Sequence, residues 1–246
     1  MTATDVFDDL EAEQEALAAV LGALSAEDWT RPSAAAGWTV ADVVLHLAQT
    51  DEAVVATAGG PAGVPDWNRY GDTVEDAMAA MVRAERVPWA VVLERWQAAR
   101  RDSVRALRHA DPARPLRWVV GAIKPRTLAT TRLAEHWAHA LDITAPLGLV
   151  YPDTARLRHV AWLGHSTLPY AFRRAGLPPA EIYCELTAPD GARWTLGDAA
   201  AESVIRGAAA AFCRVGARRL APAESGLRTE GPHADAALRL LRNYAV

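Results

Sequence analysis

The chain has 246 residues, 51% of them hydrophobic and 23% charged, with a formal net charge of −4. That length buries one large core or two modest ones, and charges of both signs are mixed along the chain, which excludes a nucleic-acid footprint. No apolar run approaches the roughly 20 residues of a membrane span, and the acidic first helix predicts no secretory signal, so the expected location is cytoplasmic.

In chain order, Leu10, Leu17, Leu21 and Leu24 recur at helical spacing and predict a first helix ending near the Ala26-Glu27-Asp28 turn. Gly37-Trp38-Thr39 then opens a second helix, with Thr39 as N-cap and Asp42 three residues on in a capping-box arrangement. This helix carries His46 and stops before Gly59-Gly60-Pro61. The segment from Gly60 to Gly71, with Trp67 and Tyr70, reads as a lid or pocket wall. A long helical pattern follows from about Val74 to Ala110 with a bend at Pro88, and a fourth helix runs from about Thr127 to Thr144. Pro146-Leu147-Gly148 marks a boundary, giving expected domains 1–148 and 149–246. Beyond it lie a helix from Thr154 to Ala175 and a hairpin of Ile182–Leu186 with Arg193–Leu196 across Pro189-Asp190-Gly191. A helix from Ala199 to Ala217, an edge strand at Leu227–Glu230 and a last helix from His233 to Tyr244 complete the pattern. The expected fold class is therefore α+β: an N-terminal four-helix bundle, then a smaller α/β domain with a short antiparallel sheet.

The most informative segment is Arg132-Leu133-Ala134-Glu135-His136-Trp137-Ala138-His139-Ala140-Leu141-Asp142. At 100° per residue Glu135 and His139 lie about 40° apart on one helix face and one turn apart along it, so both can reach one ion. His46 sits among Val43, Val44, Leu45 and Leu47, where burial requires a partner for its ring nitrogens. Alone, His46 reads as a satisfied core histidine, and Glu135 with His139 reads equally as an ordinary helix-face pair. Together the two helices offer His, Glu and His, a set of three N and O donors that leaves a coordination position open, as in catalytic divalent sites. His136 competes with Glu135 for the third place, and Asp51 and Asp142 are placed to orient ligating imidazoles.

The pattern Gly37-Trp38-Thr39-x-x-Asp42-x-x-x-His46-Leu47, with Arg132-x-x-Glu135-x-x-x-His139-x-x-Asp142, resembles the mycothiol-dependent maleylpyruvate isomerase superfamily, which has a DinB-like helical domain. Trp194-Thr195-Leu196-Gly197, Gly207, Phe212-Cys213 and Arg218-Arg219 are similar to that family's smaller C-terminal domain, so the resemblance spans most of the chain. The run from Ala129 to His139 resembles a largely uncharacterised metal-binding subgroup more closely than the isomerases themselves. The resemblance implies His46, Glu135 and His139 as ligands of a divalent metal, zinc in the family, with mycothiol as thiol cofactor in an actinobacterial host. A set of His46, His136 and His139 is the alternative. It also implies a substrate-holding basic residue at Arg219, whose plain reading is a surface arginine at a helix C-terminus. Val120-Gly121-Ala122-Ile123-Lys124-Pro125 departs from the subgroup's Gly, Pro and Ser residues, and Lys124 is the only lysine beside 25 arginines. Lys124 is therefore a candidate substrate contact or proton donor, or else a solvated loop residue.

Cys184 and Cys213 lie in no CxxC motif and read as reduced, buried thiols. The implied function is a zinc-dependent enzyme acting on a small organic substrate by thiol-dependent isomerisation or thiol transfer. The alternatives are a metal-dependent tailoring enzyme (cyclase, lyase or hydrolase) without a thiol, and a non-catalytic metal-containing binding or regulatory protein. The last predicts a closed shell, with His136 or Asp142 as fourth donor.

Overall fold

The computed structural model describes residues 5–60, 69–119 and 121–243. The chain divides into two compact units between Tyr151 and Pro152. Tyr151 stays with the first unit because its buried hydroxyl donates to Glu13 Oε1 at 2.6 Å.

In the first unit, α1 (Val6–Gly22), α2 (Val40–Gly59), α3 (Val74–Ala84), α4 (Trp89–His109) and α5 (Pro125–Thr144) surround the core. Leu10, Leu17 and Leu21 form the buried stripe of α1, which packs on α5, while α2 packs mainly on α4. The helix stops at Gly22, short of the expected turn, and Leu24 is only half-buried. The long helix expected from Val74 to Ala110 is two helices, interrupted at residues 85–88. Pro88 lacks an N–H and disfavours helical geometry at Val87, so it ends one helix and stands as N-cap of the next. Trp89, the first residue of α4, stacks on Trp29 at 5.3 Å between ring centroids. A hairpin of β1 (Leu116–Trp118) and β2 (Gly121–Ile123), unanticipated in the sequence, precedes α5. Thr57 Oγ1 ties it to α2 by donating to the Arg117 carbonyl at 2.7 Å. The α5 helix begins two residues earlier than expected, with Pro125 in the first turn, where a missing N–H costs nothing. The segment expected as a lid lies mostly outside the described residues, Trp67 included.

The second unit holds α6 (Leu157–Arg174), β3 (Ile182–Thr187), β4 (Arg193–Leu196), β5 (Ser203–Ala208), α7 (Ala209–Gly216), β6 (Arg228–Glu230) and α8 (Ala234–Leu240). Its sheet has the order β4-β3-β5-β6, with antiparallel pairs at both sides and a parallel pair of β3 and β5 between them. Residues 203–208, expected as helix, are the β5 strand: Val204 and Ile205 favour it, and Gly207 at φ 146° cannot continue a right-handed helix. Cys184 and Ile205 are paired in register and fully buried.

The best-formed helix start belongs to α2. Thr39 Oγ1 accepts from the Asp42 N–H at 3.2 Å, Asp42 Oδ2 accepts from the Thr39 N–H at 2.9 Å, and Arg86 grips the Asp42 carboxylate with two bonds of 2.8 Å. Arg86 is half exposed, so the cap outweighs the ion pair. Asp42→Ala is expected to cost about 1–2 kcal/mol, read as a lower midpoint in thermal unfolding followed by circular dichroism.

Candidate metal centre

Two helices position the candidate ligands, and a loop supplies an aromatic wall. The backbone of residues 32–39 turns through Gly37 at φ 78°, pairs Pro32 with Thr39, and is pinned to α5 where the Ala34 N–H donates to the Asp142 carbonyl at 2.9 Å. This places the Trp38 ring 5.1 Å from the His46 ring and 6.4 Å from that of His139.

His46 from α2 and Glu135 and His139 from α5 each turn one ligand atom to a common point, these atoms lying within 4.8 Å of one another. His46 Nε2 stands 3.5 Å from Glu135 Oε1. Tetrahedral donors held about 2.0–2.2 Å from a zinc ion lie about 3.4 Å apart, so that separation suits two ligands of one ion and is long for a hydrogen bond. The two imidazoles meet edge to face at 5.1 Å. His139 Nδ1 is 2.9 Å from Asp142 Oδ2, an acceptor that fixes the hydrogen on Nδ1 and leaves the Nε2 lone pair available. Burial, reinforced by His139, Arg132 and His136 nearby, lowers the His46 pKa well below its ordinary value, so the ring is held in the neutral form that ligates. Its Nδ1 is buried without a hydrogen-bond partner among the described residues.

One turn deeper lies a charged network. Arg132 is fully buried; its Nε donates to Asp51 Oδ1 at 3.1 Å, and its Nη1 donates to Glu135 Oε2. Burial opposes ionisation of Asp51, yet His136 and Arg132 together hold its carboxyl below the usual carboxylate range. His136 is also fully buried: Nδ1 donates to the Arg132 carbonyl at 2.8 Å, and Nε2 lies 3.2 Å from Asp51 Oδ2 and 3.4 Å from the Trp96 indole nitrogen. Both ring nitrogens of His136 are thus engaged within this network, while Glu135 shares the cluster with His46 and His139. Asp142 contacts a candidate ligand imidazole as its spacing suggested. Asp51 instead contacts Arg132 and His136, a role sequence reasoning missed because its partners lie on α5, 81 and 85 positions away along the chain. Trp137, expected near a pocket, is 2% exposed core.

Lys124 is exposed at the N-cap of α5, roughly 16 Å along the helix from Glu135 at 1.5 Å per residue. Arg219 lies in the second unit beyond the end of α7, where its Nη1 donates to the Ala217 carbonyl at 2.5 Å. At its distance along α5, Lys124 is not part of the His46, Glu135 and His139 cluster. Cys184 and Cys213 are buried in the second unit, and burial pushes the Cys184 thiol up to about 12 and the Cys213 thiol higher still.

Residues 10–144 match the family described as the mycothiol maleylpyruvate isomerase N-terminal domain. The chain belongs to this family. Two uncharacterized proteins from strains of Mycobacterium tuberculosis are each 33% identical to it over 253 residues, covering 96% of this chain and 94% of the relative. Among solved structures, the mycothiol-dependent maleylpyruvate isomerase superposes with a TM-score of 0.62 at 16% identity, covering 92% of this chain and 95% of that one. Its histidine-to-alanine mutant gives 0.60 at 15% identity with the same coverage. The shared α+β fold therefore extends beyond the matched N-terminal domain.

Two measurements follow from this geometry. The unfolded chain protonates His46 near pH 6.5 while the folded chain keeps it neutral, so the folded state binds fewer protons below that pH. Stability owed to His46 is then full above about pH 6.5 and falls by up to about 1.4 kcal/mol per unit as the pH drops below it. In chelator-treated protein, His46→Gln is expected to flatten the acid side of the urea-unfolding profile, and an unchanged slope contradicts the assignment. For the thiols, Ellman's reagent is expected to leave Cys184 and Cys213 unmodified in folded protein and to titrate both after denaturation.

Proposed function

We propose that the chain is a divalent-metal enzyme, with zinc the ion best suited to its donors, that uses an external thiol to isomerise or modify a small unsaturated acid. The observation carrying this reading is the cluster of three donors with no fourth among the described residues: the other acidic and imidazole groups nearby, Asp142, Asp51 and His136, are bound to His139 or to the Arg132 network. Three protein ligands suit a catalytic centre, whereas a closed set of four suits a structural one.

His46, Glu135 and His139 would hold the ion. When bound, it would lower the pKa of an incoming thiol and so supply a nucleophile at neutral pH. The protein's own thiols are poor candidates, being buried and strongly disfavoured as thiolates. The thiol must then come from solution, and mycothiol is the one named in the family's description. Trp38 walls the site on one side, excluding water and offering a flat apolar face to a conjugated substrate.

In the isomerase reaction the thiolate sulfur bonds to one alkene carbon, and the displaced electron pair moves into the conjugated carbonyl. The former double bond rotates, the pair returns, and the carbon–sulfur bond breaks to give the trans alkene and the original thiolate. A thiol transferase shares the addition, takes a proton on carbon and keeps the adduct. Arg219, as a carboxylate contact for the substrate, and Lys124, as a substrate contact or proton donor, belong to this proposal as residues to test.

The test is metal content followed by turnover. Protein purified without a metal-affinity tag is expected to carry about one zinc per chain, which His46→Ala and His139→Ala lose and His136→Asn retains. Equal loss in all three overturns the Glu135 assignment. The loaded protein is then given mycothiol and a cis-unsaturated diacid. Trans product with the thiol regenerated supports the isomerase, a stable adduct supports the transferase, and bound zinc with neither product favours the non-catalytic reading.

A further inference from the structure

We infer that Arg132 is a positioning residue that occupies one oxygen of Glu135 and so restricts this carboxylate to a single bond with the metal. The inference rests on the metal reading above and extends it. Arg132 and Glu135 lie three positions apart on α5, and Nη1 donates to Glu135 Oε2, while the other oxygen, Oε1, is the one facing His46 Nε2 at 3.5 Å. The two oxygens therefore have separate assignments. A glutamate free of Arg132 can swing both oxygens onto an ion, since bidentate carboxylates are common on divalent metals, and would thereby fill the position a thiol or substrate needs.

Arg132 cannot turn away. Its guanidinium is fully buried and anchored through Nε to Asp51, which is also fully buried and held 3.2 Å from His136 Nε2. Nη2 is buried with no hydrogen-bond partner among the described residues, so the guanidinium is kept in this place at the cost of an unsatisfied donor. Orientation of a ligating carboxylate accounts for that arrangement better than stability does, because a buried ion pair adds little over apolar residues of the same volume.

Cobalt(II), whose visible absorption is strong in four-coordinate sites and weak at higher coordination, reads the difference without any turnover. Wild type, D51N/R132M and D51N/R132M/E135Q are titrated with cobalt and then competed with zinc; the paired substitution removes both buried charges together and leaves neither uncompensated. The double variant is expected to lose absorption by at least about twofold as coordination rises, with zinc affinity falling about 10–100-fold, the range seen when groups orienting ligands are removed. The triple variant, whose glutamine offers one oxygen, is expected to recover the four-coordinate spectrum. If the double variant does not fold, R132K, which keeps a charge opposite Asp51 but lacks the guanidinium fork, is expected to show the same spectral change. An unchanged spectrum and affinity in the folded variant, beside wild type that binds, overturns the Arg132 inference alone. Wild type that binds neither cobalt nor zinc overturns the metal reading and this inference with it.

Discussion

A positive charge buried between two helices sets the terms for the first unit. Arg132 lies on α5 with its side chain wholly out of solvent, and only a carboxylate buried with it makes that tolerable. Asp51 from α2 supplies the carboxylate, and this pairing fixes the two helices in one register. With Asp51 opposite Arg132, His46 lies over one turn nearer the start of α2, and Glu135 and His139 lie one and two turns nearer the end of α5. Because the helices run antiparallel, those displacements are in the same direction in space, and the three donors meet. A slip of one residue at the Arg132–Asp51 pair would rotate each donor by 100° and disperse them.

The remaining contacts hold the ends of this arrangement. The capping box at Thr39 and Asp42 sets where α2 begins, and Arg86 holds Asp42 from the segment between α3 and α4. The Ala34 bond to the Asp142 carbonyl closes the loop over the end of α5, bringing Trp38 against both imidazoles. Asp142 thus acts twice: its carboxylate orients His139, and its carbonyl anchors the loop that carries Trp38.

How much of this was legible in the sequence follows from how local each signal is. The helix start at Thr39, the pairing of Glu135 with His139 on one face and the contact of Asp142 with His139 all depend on spacings of three or four residues, which a helix converts directly into proximity. The hairpin before α5 carries no such signal: Arg117, Trp118 and Gly121 have no clear alternation, and the pairing is completed by Thr57, 60 positions away. The β5 strand was obscured by the alanines around it, which favour helix, until Gly207 at positive φ ends that option. Asp51 was the hardest to read, because an acidic residue about three turns into an apolar helix has no local partner to reveal what it serves.

Charge bears on what the centre can accept. Among the described residues, the ion pairs of this cluster join the carboxylates of Asp51, Glu135 and Asp142 with the guanidinium of Arg132 and the imidazoles, an excess of carboxylates over guanidinium. Burial makes that excess costly, since like charges in a weakly polarisable interior are screened little. A divalent ion would offset that excess as well as fit the donors. In the proposed metal-bound form, an incoming thiolate or carboxylate would meet a cation whose protein ligands occupy only part of its shell. On the metal reading proposed above, charge compensation by the ion and an open position on it would favour the same occupant, a small anionic sulfur or oxygen ligand brought in from solution.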